Sequence, residues 1–234
     1  MFFVLTCNLD QTEIATLQKT AEKQSLPKKE RILCAASDVF LAIGFEKTST
    51  ADIARLAKVS KRELYLHFSD KRALLAAVVD DLQSDMQRRM DSLWASGEAM
   101  EDVLLNSAKV IQRFILSERF GKLLRIVAAE SYNTPNIAKQ FFETGPNQGR
   151  KATARYLKEQ MKQGRLRTAD PQKAADDFLD LVVGAQLMTA VILGQIGPAT
   201  PKPANTLHAV EVFLMIYGND VPKRTLKDRP RSAR

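Results

Sequence analysis

The chain has 234 residues, 45% of them hydrophobic, enough for one large domain or a small domain joined to a larger one, and this excludes disorder over most of its length. Its 35 Lys+Arg against 27 Asp+Glu give a net charge of +8, which favours an acidic partner such as nucleic acid. The isolated Cys7, Cys34, His67 and His208 exclude a structural zinc site and a disulfide framework, and no run reads as a signal peptide or a membrane span. A cytoplasmic protein with no cofactor, no metal and no membrane partner is expected.

The charge is unevenly placed. From Lys28 to Ala73 there are ten basic and six acidic residues, and the tail from Gly218 to Arg234 holds six basic and two acidic, so each carries a net +4 while the middle is near neutral. Residues 1–27 read as a loosely attached extension closed by Pro27. From Lys28 the apolar positions Ile32, Ala35, Ala36, Val39, Phe40 and Ile43 recur at spacings of three and four, and Gly44 stops the helix.

Three helix starts follow in quick succession. Ser49 caps a second helix, with Asp52 three residues on answering its backbone. After a turn at Lys58 and Val59, Ser60 and Glu63 form a Ser-x-x-Glu capping box, and Leu64 and Phe68 face inward. Ser69 restarts the chain as a long helix to about Trp94. Two short helices across a tight turn, with a third leaving at once, is the geometry that places one helix in the major groove of DNA.

Beyond Trp94 the chain keeps to helical periods, interrupted by Gly97, Asn133-Thr134-Pro135, Gly145-Pro146 and Gly164 to Pro171. Asp170-Pro171 opens a helix expected to run unbroken to Gln195, and a last helix spans Ala204 to Tyr217. With no strand-like alternation, the expected class is all-α: an N-terminal three-helix helix-turn-helix domain at residues 28–74, a larger helical domain at 75–217, and a basic tail at 218–234.

The phrase Ile43-Gly44-Phe45, Thr48-Ser49-Thr50, Asp52-Ile53-Ala54, Val59-Ser60 and Leu64-Tyr65-Leu66-His67-Phe68, then Lys71 and Leu74-Leu75, resembles the DNA-binding domain of the tetracycline-repressor (TetR) family. Leu124 to Glu130, Pro135 to Gly145-Pro146, Gly164 to Arg167, and Asp170-Pro171 through Phe178 resemble the AefR-like group of C-terminal regulatory domains. The resemblance implies a transcriptional regulator, by default a repressor, that binds a near-palindromic operator as a homodimer and is released by a small, mostly apolar effector.

It also implies site residues. Lys61, Arg62 and Glu63 approach base edges, Arg62 as the best reader because a guanidinium bonds two guanine acceptors at once, while Glu63 reads either as the cap or as a cytosine contact. Thr50, Tyr65, His67 and Lys71 correspond to phosphate contacts, which fix register without reading sequence. Lys58 stands where the family commonly has glycine, so its turn should be strained or altered. Ala51 stands where some members place a base-reading arginine.

In the larger domain Met90, Trp94, Phe114, Leu124, Phe141, Phe142 and Tyr156 are the expected pocket wall, with Gln112, Glu130, Tyr132 and Asn133 as possible polar partners. Gly184, Ala185, Leu207, Val210 and Leu214 are the expected dimer interface. Two other classes compete. A sequence-nonspecific architectural DNA binder would use the basic tail, and an enzyme would need more than the carboxylates Asp176, Asp177 and Asp180, which no histidine, cysteine or glycine-rich loop accompanies.

Overall fold

A computed structural model describes residues 26–184, 186–193 and 203–219. Its contacts divide the chain into two compact units, Met1–Val79 and Asp80–Arg234. Among the described residues every regular element is a helix, and the only β pairing is an isolated antiparallel bridge between Leu166 and Gly218.

The first unit is built from α1 (Lys28–Ile43), α2 (Thr50–Leu56), α3 (Lys61–His67) and the start of α4 (Lys71–Trp94). Ile32, Ala36 and Phe40 give α1 its inner stripe and meet Ile53 and Ala54 of α2, Leu64 of α3, and Leu74 and Leu75 of α4 in one core. Phe45, just past the α1 stop, lays its ring 5.5 Å from that of Phe40. Gly44 can end α1 because its φ of 85° is one that a side chain would resist.

The start of α4 differs in detail from the sequence reading. Asp70, not Ser69, supplies the cap: its carboxylate accepts the Ala73 N–H at 2.8 Å. From there α4 runs without interruption to Trp94, so one helix supplies residues to both units.

The second unit holds α5 (Met100–Ile115), α6 (Glu118–Glu130), α7 (Pro135–Thr144), α8 (Pro146–Lys162), α9 (Pro171–Val183), α10 (Gln186–Leu193) and α11 (Pro203–Tyr217). Asp170 caps α9 by accepting the N–H groups of Gln172 and Lys173, at 2.8 and 3.4 Å. Helix α9 packs on α8, α5 and α11, and Phe178 meets Phe213 edge to face, ring centres 5.2 Å apart. Tyr217 closes this core by donating its hydroxyl to Asp177 at 2.5 Å, a bond that with burial pushes the phenol up to about 12.

The unbroken helix expected from Asp170 to Gln195 does not form. Gly184 takes φ 51° and ψ −158°, its N–H closing on the Asp180 carbonyl, and the chain restarts as α10 at Gln186. An apolar run on both sides of the break hides it in the sequence. Most of the N-terminal extension (1–25), Ala185, the segment 194–202 and the tail from 220 lie outside the described residues.

Candidate nucleic-acid interface and effector cavity

The helix-turn-helix is held by local hydrogen bonds that use most of its polar side chains. Ser49 Oγ accepts the Asp52 N–H at 3.1 Å. Asp52 answers the Ser49 hydroxyl (2.6 Å) and the Arg55 guanidinium (3.2 Å) instead of the Ser49 backbone, and these bonds hold its carboxyl below the usual range. Lys58 makes the turn with φ 53°, the left-handed value its glycine-like position anticipated. The Val59 N–H closes that turn on the Ala54 carbonyl at 3.0 Å.

At α3 the capping box is complete. Ser60 Oγ accepts the Glu63 N–H at 3.1 Å, and Glu63 Oε2 accepts the Ser60 N–H at 2.8 Å and its hydroxyl at 3.0 Å. Lys28 Nζ donates to Glu63 Oε1 at 2.5 Å, and this bond, with those from Ser60, holds the carboxyl down at about 2. Both oxygens are therefore bonded in holding α3, which supports the cap reading of Glu63 over the cytosine contact.

Lys71, expected at a phosphate, has a structural role in the fold. Its ammonium donates to the carbonyls of Phe45, Thr48 and Glu46 at 2.9, 3.1 and 3.3 Å and lies 4.3 Å from the centre of the Phe45 ring. Three donors meet three acceptors, so the group ties the loop before α2 to the start of α4.

What remains exposed is a short outward face. Lys61 and Arg62 make no hydrogen bond or ion pair among the described residues. Thr50 and Tyr65 set their hydroxyls 3.1 Å apart, joining α2 to α3, and His67 is exposed at the α3 end. The sequence reading missed one member of this face: Leu66 is 75% exposed. The signal was available in helical phase, since Leu66 lies opposite the buried Leu64 and Phe68 and four residues after Arg62.

The second unit holds a partly open cavity of about 350 Å³, a volume suited to a small organic molecule. Met90, Trp94, Phe114, Leu124, Phe141 and Phe142 line it, joined by Met86, Ile111, Phe120 and Leu179. Tyr156 does not: it stacks on Trp94 with ring centres 6.0 Å apart and faces a separate, more polar cavity that both rings line. Burial pushes the Tyr156 phenol up to about 12.

None of the four polar partners expected there lines the main cavity, whose polar groups include Gln83, Arg150 and Asp180. Gln83 donates to the Phe141 carbonyl at 2.9 Å and accepts from the Thr144 hydroxyl, and Arg150 pairs with Asp176 at 3.2 Å. Gln112 is buried elsewhere, between the Val182 carbonyl (2.9 Å) and the Thr206 hydroxyl, while Tyr132 and Asn133 are exposed and Glu130 lies outside the lining.

Among the described side chains of α10 and α11 the large exposed apolar ones are Met188, Ile192, Leu207, Met215 and Ile216. Leu214 is half-exposed. Val210 sits in the protomer's own core, so it cannot present the surface expected of it, and Gly184 marks the helix break. Ala185 is outside the described residues.

Residues 32–78 match the model for bacterial regulatory proteins of the tetR family, and residues 102–219 match the C-terminal domain of AefR-like transcriptional repressors. The chain belongs to the TetR family. A TetR-family fold is accordingly found in a solved protein of Mesorhizobium loti assigned to that family, 26% identical, covering 86% of this chain and 98% of that one with a TM-score of 0.75. The flavonoid-responsive regulator FrrA is 28% identical, with 83% and 98% of the two chains covered and a TM-score of 0.65. YvkB of Bacillus subtilis, an uncharacterized HTH-type transcriptional regulator, is 23% identical over 80% of this chain and 96% of its own. TetR-family proteins are DNA-binding transcription regulators rather than enzymes. Among the described residues no helix is long and apolar enough to cross a membrane.

Proposed function

We propose that this TetR-family regulator acts in the cytoplasm as a ligand-released repressor, binding a near-palindromic operator as a homodimer. The observation that carries the reading is the state of α3: its cap groups are consumed, while Lys61 and Arg62 stand exposed and uncommitted in its first turn. Arg62 reads guanine through two acceptors, Lys61 supports it, and Thr50, Tyr65 and His67 hold the phosphate backbone. One short helix reads only a few base pairs, so specificity requires two copies related by a two-fold axis. The exposed Leu207 and the half-exposed Leu214, two turns further along α11, supply apolar surface for that dimer, as do Met188 and Ile192 of α10.

The cavity supplies the switch. An effector filling it displaces the second half of α4, through Met86, Met90 and Trp94, and α4 is continuous with the residues that pack in the DNA-binding unit. Differential affinity of a few kcal/mol between the two forms is enough to release the operator. The aromatic lining and the flavonoid response of FrrA make planar phenolic aromatics the first class to try.

Selection of bound duplexes from a random DNA pool, with and without a flavonoid series, tests the reading. A palindromic consensus whose enrichment falls on ligand addition is expected. Equal affinity for all duplexes at physiological salt would leave only the architectural alternative.

A further inference from the structure

Leu66 is the most exposed large apolar side chain described in the first unit, and it stands on the outward face of α3, in its last turn. Isolated exposed apolar residues are common on protein surfaces. This one differs in its neighbours. Arg62 lies one helical turn earlier on the same face, Tyr65 and His67 flank it, and the opposite face is closed by the fully buried Leu64 and by Phe68.

A leucine has neither donor nor acceptor, so it can serve neither phosphate nor the polar edges of bases. In the major groove it can meet one feature of complementary character, the 5-methyl group of thymine. Four residues of helix advance about 6 Å, less than two base steps of about 3.4 Å each. We infer that Leu66 is a specificity-determining residue that reads a thymine methyl within two base pairs of the base contacted by Arg62. This rests on the reading of α3 as the recognition helix.

The test uses the full chain and the consensus duplex it selects, with each thymine of the half-site replaced in turn by uracil, which removes only the methyl. Wild-type affinity is expected to fall about fourfold per half-site at one thymine, the loss matching one methyl-sized apolar contact. Leu66→Ala should bind the thymine duplex more weakly and no longer distinguish thymine from uracil, while Leu66→Met, still apolar, should keep the distinction. An unchanged melting temperature in both variants separates lost contact from lost fold.

Wild-type binding indifferent to every thymine-to-uracil change, or a Leu66→Ala protein that keeps the discrimination, overturns this inference and leaves the recognition helix standing. A wild-type chain that selects no consensus overturns both.

Discussion

Lys28 Nζ and Glu63 Oε1 lie 2.5 Å apart, tying the first turn of α1 to the first turn of α3 across thirty-five residues. The pair is solvent-accessible, so its Coulombic contribution at neutral pH is modest and screened by salt. Its value is positional: it orients the same turn that presents Lys61 and Arg62.

Glu63 has its carboxyl held at about 2 against an ordinary 4.5, first by Lys28 and then by Ser60. A carboxyl whose folded value is depressed adds stability that is fully present above its unfolded value and is lost as the pH falls through it toward the folded one. Thermal melts from about pH 6 to pH 2 should therefore show a steeper fall in Tm for the wild type than for Glu63→Gln, which keeps the capping geometry but cannot titrate. Parallel curves would mean that the carboxylate is not held in solution as it is here.

Lys71→Met should behave as a stability variant. Losing charge-assisted bonds to three carbonyls, while keeping most of the apolar stem, is expected to cost about 2 kcal/mol, read as a lowered denaturation midpoint. Among molecules still folded, the slope of log affinity against log salt should be that of the wild type. A group bound to phosphate would instead reduce that slope by about one when removed.

Much of the DNA-binding unit was legible because its determinants are local. Ser49, Ser60 and Glu63 announce helix starts within four residues of themselves, and the apolar phase of α1 needs no partner to be seen. The aim of Lys71 depends on where the loop from Phe45 to Thr48 turns its carbonyls, which no spacing encodes. The break at Gly184 was masked by apolar residues on both sides. Trp94 and Tyr156 were both sound candidates for an aromatic wall, but their mutual stacking puts Tyr156 behind that wall. Val210 shares its apolar period with exposed neighbours, and only packing against the rest of its unit separates inside from outside.

Lys58→Gly tests the turn. A lysine at φ 53° carries about 1 kcal/mol of conformational cost that glycine does not, offset in part by the greater freedom of glycine in the unfolded chain. The variant should be as stable as the wild type or more so, by up to about 1 kcal/mol in chemical denaturation. A clear loss would show that the lysine stem contributes packing beyond the turn.

Arg62→Ala and Thr50→Val should separate reading from positioning. The first is expected to relax base preference at one position of each half-site, at about 1–3 kcal/mol for the preferred duplex. The second should weaken binding to all duplexes alike, and by less, because the hydroxyl it removes also bonds Tyr65. Selection from random duplexes with each variant distinguishes them: a narrowed or shifted consensus for Thr50→Val would reverse the two roles.

Gln83 and Gly145 test the cavity wall itself. A Cβ added at Gly145 would come within 2.2 Å of Gln83 Nε2, the atom that donates to the Phe141 carbonyl beside the cavity. Gly145→Ala must therefore swing the Gln83 amide away, breaking that bond and the one from Thr144. It is expected to destabilise by about 1–3 kcal/mol, the cost of leaving buried polar groups unpaired, and to lower effector affinity by redrawing the cavity. Gln83→Ala alone removes the same bonds, so in that background the added methyl meets little. The double variant should then be more stable than the sum of the single losses allows, with a coupling of about 1 kcal/mol in denaturant melts. Strict additivity would place the clash outside the solution structure.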